Sequence, residues 1–285
     1  MKLNKSFNLY ERLKNHHAEY LKEPFLLVDQ NSYKKAAITF PFRTFTYGIG
    51  ITYKGNGGVF KIGGMEYETK KGSLITVGPG IVSQWLGDYH AMHDTVYFTE
   101  DLFKHSLRNS LLSSLPFFAH GGKHVIQLNA EQMNKGRSLI DQIKTFRNNK
   151  EIVAGLVYAL IQLTVEFHQE YHHTAKRGVS NKQKLTIDFR SLLSKHFLQQ
   201  KEVNFYASAL HITPKYLSEV LLSETGKTAK QLINEHLLWE AKSLLRQTTL
   251  SVQEITYWLG FQESAYFSRA FKKAEGVTPL EYRKG

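Results

Sequence analysis

The last third of this chain repeats itself. Slid against itself by 50 residues it matches without gaps: Tyr216 falls on Tyr266, Ser218 on Ser268, Gly226 on Gly276 and Thr228 on Thr278. The apolar set Leu217, Val220 and Leu221 falls on Phe267, Ala270 and Phe271. Spacings of three and four put each set on one buried helical face. A matched pair of such segments implies two copies of one helical unit, which restricts this region to an all-helical fold.

Each copy reads as helix, tight turn, helix. In the first, Asn204 is expected to cap a short helix ending near Leu210. A turn at His211-Ile212 follows, and Thr213-Pro214 open the next helix as N-cap and first residue. In the second, Ser251 and Glu254 form a capping box, Gly260-Phe261 turn, and a helix runs from about Ser264 to Lys273. Gly226 and Gly276 sit where a helix ends in a left-handed residue. The same logic accounts for SETGKT at 223–228: it lacks the first glycine and the strand of a phosphate loop, and reads as a helix end followed by a new cap.

The faces opposite the buried ones carry the chemistry. The first outward stripe is Lys215, Ser218, Glu219 and Leu222; 50 residues on it is Ala265, Ser268, Arg269 and Lys272. Small residues let a backbone approach a surface closely, and Arg or Lys reaches guanine edges or phosphates. Between the units, residues 228–247 form one continuous helical pattern with Leu232, Leu237, Ala241 and Leu244/Leu245 on its inner side. Roughly 20 residues at about 1.5 Å each span ~30 Å. Successive major grooves on one face of DNA lie ~34 Å apart.

Charge agrees with a polyanionic partner without locating it. The net charge is +12, but residues 181–285 hold 15 Lys+Arg against 10 Asp+Glu, so the basicity is spread along the chain. With no cysteine there is no disulfide, thiolate metal site or cysteine nucleophile, which suits a cytoplasmic protein. The N-terminal stretch MKLNKSFNLYERLKNHH does not read as a secretory signal. No run of about 18 apolar residues suggests a membrane span.

Upstream the period is two. Phe45, Tyr47, Ile49, Ile51 and Tyr53 alternate with Thr44, Thr46, Gly48, Gly50 and Thr52. Hairpin signals follow at Gly63-Gly64 and Lys71-Gly72, and 94–99 is a further strand. Short strands with Gly-rich turns predict a sandwich or small barrel. From about Asn129 the period becomes helical: Met133, Leu139, Ile140, Ile143 and Phe146 mark one helix. Val153, Leu156, Leu160, Leu163 and Phe167 mark a second, and Ile152, Val157, Ile161 and Val165 widen its stripe beyond one packing surface. That width predicts a subunit contact.

The segments ITPKYLSEVLLSETGKTAKQLI and LGFQESAYFSRAFKKAEGVTPLEYRK resemble the DNA-binding domain of the AraC/XylS family of bacterial transcription regulators. The resemblance covers about residues 185–284, and the LGF, YFSRAFKK and TPLEYRK pieces carry it most specifically. It implies duplex DNA as partner, read by Lys215, Ser218 and Glu219 in the first unit. In the second unit the readers are Ser264, Ala265, Ser268 and Arg269, with Lys272 beside them. Two departures stand out. Leu237 occupies a spacer position where family members usually carry arginine, and Glu219 a slot often basic. A carboxylate there repels phosphate but can accept from cytosine N4. More loosely, GGVFKIGGMEYETKKGSLITVGPG and HDTVYFTEDLF are similar to the cupin-like sensor half of such regulators.

The expected organisation is therefore α+β multidomain: a cupin-like β-barrel over residues 1–128, a helical dimerisation segment at 129–174, a linker at 175–182 and an all-α domain at 183–285. Its helix-turn-helix units span about 203–224 and 251–274, joined by the long helix. The expected function is a sequence-specific DNA-binding transcription regulator, activator or repressor. It is effector-responsive and homodimeric, and RNA polymerase is a further candidate partner. Phe45, Tyr47, Tyr53, Phe60, Tyr67 and Trp85 are the candidate lining of an effector cavity. The competing reading is a cupin-type enzyme with an accessory DNA-binding domain. It lacks support: Ser83-Gln84 stand where a metal-binding histidine pair is usual, and His90 and His93, three apart on a strand, point to opposite faces. No metal, cofactor or catalytic group is expected.

Overall fold

The alternation along β3 (Tyr47–Lys54) organises the N-terminal half. Tyr47, Ile49 and Ile51 lie on one face and join a core with the helices behind the sheet, while Gly48 and Gly50 lie on the other. The computed structural model of the chain describes residues 24–28, 40–43, 46–86, 92–103, 112, 114–175 and 180–284. Its other strands are β1 (Phe25–Val28), β2 (Phe42–Arg43), β4 (Asn56–Ile62), β5 (Met65–Lys70), β6 (Ser73–Val77), β7 (Val82–Leu86), β8 (Met92–Phe98) and β9 (Val125–Gln127). They sort into a five-stranded sheet, β1-β8-β3-β6-β9, and a four-stranded sheet, β2-β7-β4-β5. Every pairing is antiparallel.

The expected closed barrel is not present among the described residues. The outer strands of the two sheets are not hydrogen-bonded to one another, so the sheets stay open and face each other. Phe60, Ile62 and Tyr67 from one meet Ile75, Val77 and Val125 from the other. The hairpin expected at Gly63-Gly64 joins β4 to β5, with both glycines at positive φ.

Two antiparallel helices, α1 (Ala130–Thr145) and α2 (Lys150–Ala175), cover the outer face of the five-stranded sheet. Asn129 and Gln132 cap α1 reciprocally. By length and composition α2 is apolar enough to cross a membrane. Here it packs on the sheet instead: Val153, Val157, Leu160, Ile161 and Phe167 are buried in the core around Ile49, Val96 and Phe98. This corrects the reading of its seam. Val157 and Ile161 face the sheet rather than a partner, and Leu160 is 1% exposed. Ile152 and Tyr158 are exposed, while Leu156 and Leu163 are partly buried against the same core. Leu160→Ala is therefore expected to cost about 2–5 kcal/mol in urea unfolding. Ile152→Ala should stay within about 0.5 kcal/mol as a monomer. Equal costs at the two sites would refute this orientation.

The C-terminal half is all helix: α3 (Asn181–His196), α4 (Val203–Ala209), α5 (Pro214–Thr225), α6 (Ala229–Gln247), α7 (Val252–Trp258), α8 (Ser264–Glu275) and α9 (Pro279–Lys284). One core joins them, with Phe189, Tyr206, Leu217, Leu221, Ile233, Leu244, Ile255, Phe267 and Phe271 buried in it. Capping boxes start α3 at Ser180, α6 at Thr228 and α7 at Ser251. Asn204 does not cap α4: the cap position is Glu202, and Asn204 lies inside the helix. The repeat also slips in the turns. Ile212 N–H donates to Ala207 O, and the matching bond is Phe261 N–H to Thr256 O, 49 residues on rather than 50. The second turn therefore holds one residue more before its second helix.

Candidate nucleic-acid interface

Each outward stripe sits on a helix whose other face is locked into the core. Thr213 Oγ1 accepts from the Tyr216 amide at the start of α5, Pro214 follows, and Gly226 ends the helix at φ 71°. Leu217, Val220 and Leu221 are buried, which turns Lys215, Glu219 and Leu222 to solvent, with Ser218 half-buried. In α8, Phe267 and Phe271 are buried and Gly276 ends the helix at φ 78°. That leaves Ala265, Arg269 and Lys272 exposed, with Ser264 and Ser268 half-buried. Two sparse, exposed faces result, the first carrying Lys215 beside Glu219 and the second basic through Arg269 and Lys272. Lys272 and Lys273 also lie in the last turn of α8, where positive charge opposes the helix dipole.

Other cations in this half are engaged away from those faces. Lys227 pairs with Glu235 and Lys242 with Glu275, while Arg283 donates to the carbonyls of Leu245 and Leu250. Lys227, the lysine of SETGKT, thus serves the helix junction. Tyr216 and Tyr266 are 46% and 59% exposed one turn into the two helices. They lie beside the two outward stripes rather than in them, although the repeat aligns them. A tyrosine hydroxyl so placed can donate to a phosphate oxygen.

The spacer α6 runs 19 residues, about 28 Å at 1.5 Å per residue. Leu237, at the departure from the family's arginine, is 2% exposed in the core, so that position packs here. The spacer is more deeply buried than its inner stripe implied. His236, Trp239, Glu240 and Ser243, on its other side, are buried against the sheets.

The candidate effector residues divide. Phe60 and Trp85 line a cavity of about 20 Å³ between the sheets, their rings 4.4 Å apart. Tyr67 is paired across β4–β5 with Phe60 and shares that inner face. Tyr47 and Tyr53 turn the other way. Tyr47 packs on Phe98 and Phe118 and donates to Glu100 Oε1 at 2.9 Å. Tyr53 lies under Arg137, and burial raises its hydroxyl far above the usual range. Phe45 lies outside the described residues. The parity of β3 explains the error: its aromatic face meets the helices, and its glycine face fronts the cavity. A Cβ on Gly50 would lie 2.6 Å from Thr95 Oγ1 and 2.8 Å from His93 Cε1, so glycine makes room for those side chains.

The polar lining of the cavity includes His93, Thr95, Ser83 and Tyr97. His93 Nε2 lies 2.6 Å from Thr95 Oγ1 and its Nδ1 3.3 Å from Thr52 Oγ1. Burial pushes its pKa down to about 3, so the ring is neutral. Among the described residues no group of three His, Asp or Glu could hold a metal ion. His90 is outside them.

A helix-turn-helix domain family matches residues 206–285. Over 105 residues the chain is 31% identical to the uncharacterised HTH-type transcriptional regulator YisR of Bacillus subtilis, 37% of each protein. It is 24% identical over 268 residues to the arabinose operon regulatory protein of Escherichia coli, covering 90% of this chain and 87% of that one. The match therefore spans about a third of YisR and most of the arabinose regulator. Among solved structures, the C-terminal domain of AraT, a response regulator from Geobacillus stearothermophilus, is 34% identical with a TM-score of 0.35. It covers 37% of this chain and 88% of that one. The C-terminal helix-turn-helix domain, with the repeat, caps and spacer described above, is of the AraC type.

Proposed function

We propose that this protein is a sequence-specific, double-stranded-DNA-binding transcription regulator, acting in the cytoplasm rather than as an enzyme. Its two recognition helices, α5 and α8, enter adjacent major grooves. The observation that carries the reading is the pair of exposed, matching stripes at the two ends of one spacer helix. Arg269 and Lys215 read base edges or phosphates, Glu219 selects against unfavourable bases, and Ser218, Ser264, Ala265 and Ser268 permit close approach. Lys272 holds the backbone. Selection on random duplexes identifies the site. At that site Arg269→Ala is expected to lose about 1–3 kcal/mol and to relax preference at one base position. Loss spread equally over all sequences would make Arg269 a phosphate contact only.

The sheet half is the sensor, a cupin-like fold with its two sheets left open, and the inter-sheet cavity is its effector site. Phe60, Trp85 and Ser83 offer aromatic faces and a hydroxyl to a small molecule. Ile152 and Tyr158, exposed on α2, support a homodimer contact there. RNA polymerase is the further partner that an activator requires. No specific observation favours the enzyme reading, since His93 is taken up by Thr52 and Thr95.

A further inference from the structure

The four-stranded sheet is one layer thick between the cavity and the spacer helix. Alternate residues of its strands point to each side. On β2, Phe42 lines the cavity, while Arg43 points away from it to the helix. On β7, Ser83 and Trp85 line the cavity, and Gln84 between them accepts from Trp239 Nε1 at 3.3 Å. On β4, Phe60 lines the cavity and the Lys61 ammonium lies 5.2 Å from the centre of the Trp239 ring.

Arg43 carries most of the grip. Its guanidinium donates to Glu240 Oε2 at 2.5 Å, and both side chains are buried. Its amide donates to Gln247 Oε1 at 2.7 Å, and its carbonyl accepts from Gln247 Nε2 at 3.2 Å. Glu240 and Gln247 lie seven residues apart on one face of α6. A buried pair of this kind tolerates neither partner alone, so the contact is close to all-or-none.

The cavity has room for about one water molecule. Anything larger must part the sheets. The five-stranded sheet is backed by the core with α1 and α2, whereas the four-stranded sheet is backed by α6. We propose that the four-stranded sheet is a coupling layer: filling the cavity displaces β2, β7 and β4, and Arg43, Gln84 and Lys61 transmit the displacement to the helix that spaces the two recognition helices. This rests on the sensor reading of the cavity. It also gives that reading a route to DNA, since a shift in α6 alters how α5 and α8 are presented together.

The test needs no ligand, so its failure is distinct from a failure to find an effector. Ser83→Leu adds bulk to the cavity from β7, and Ile75→Phe adds it from β6, whose residues make none of these contacts with α6. Ser83→Val and Val77→Leu are milder versions. Hydrogen exchange of amides 236–247 is followed in the full chain, in native and Arg43→Met/Glu240→Leu/Gln247→Ala backgrounds. Filling from either sheet should speed exchange there about tenfold in the native background, and by less than about twofold once the grip is removed. Folded variants with unchanged exchange at 236–247, or with the same change in both backgrounds, would overturn the coupling. So would an effect confined to the β7 substitutions.

Discussion

Acidification from about pH 7.5 to about pH 5 is expected to destabilise the fold by at least about 6 kcal/mol, through three histidines buried in the neutral state, with His120, lowered by burial to about 4, adding to them. His93 stands in the cavity, where Thr52 and Thr95 take its nitrogens. The Nδ1–H of His124 donates to the carbonyls of Thr76 and Phe117. His236 packs its ring on Phe197 and the Gly63–Gly64 turn. Burial pushes them down to about 3, 4 and 3 respectively, reinforced at His236 by His120, Lys61, Arg190 and Arg43. Lys123 and His120 act in the same direction at His124, against the backbone bonds. The unfolded chain takes up these protons below about pH 6.5, and the folded chain does so only near its lowered values. Stability is thus intact above about pH 6.5 and falls with pH towards about 4, by about 1.4 kcal/mol per unit for each group. Urea unfolding at the two pH values measures it. His124→Gln should remove about a quarter of the slope. Equal stability at both pH values would contradict the burial of these rings.

The buried pair between Arg43 and Glu240 should cost about 3–5 kcal/mol to break from either side. Burial pushes the Glu240 carboxyl up, and the Arg43 guanidinium beside it opposes that rise. With Arg43→Met alone, Glu240 is left buried without its cation. With Glu240→Leu alone, the guanidinium is left without its anion. Replacing both together should be near neutral, because the charge cost and the charge gain vanish together. A double variant as unstable as the singles would mean that packing, not charge, dominates the contact.

Legibility in the sequence followed locality. Helix ends were readable because capping is a matter of a few adjacent residues: Thr213-Pro214, Ser251 with Glu254, Thr228, and the glycines at 226 and 276. Asn204 misled because the chain bends into α4 two residues earlier, at Glu202. The exposed faces of α5 and α8 followed from spacing, since a helix with one apolar stripe has only one way to turn the rest. Which face of a strand meets which neighbour is not local. Tyr47 and Tyr53 looked like cavity residues until the helices of 130–175 claimed their side of the sheet. The same contest hid the orientation of α2, where Val157 and Ile161 meet the sheet. The least visible feature was the second buried face of α6. Glu240 and Ser243 lie off the inner stripe that the spacing marks, and Arg43, some 200 residues away in sequence, accounts for their burial.

The central claim is that two recognition helices on one spacer grip one duplex together. It is tested most directly from the DNA side, which leaves the protein unaltered. On the selected site, inserting five base pairs between the two subsites rotates one by about half a turn relative to the other. The full chain should then bind at least about tenfold more weakly, and inserting a whole turn should not restore it, because α6 reaches only about 28 Å. Undiminished affinity on the half-turn duplex would show that a single helix-turn-helix unit does the reading.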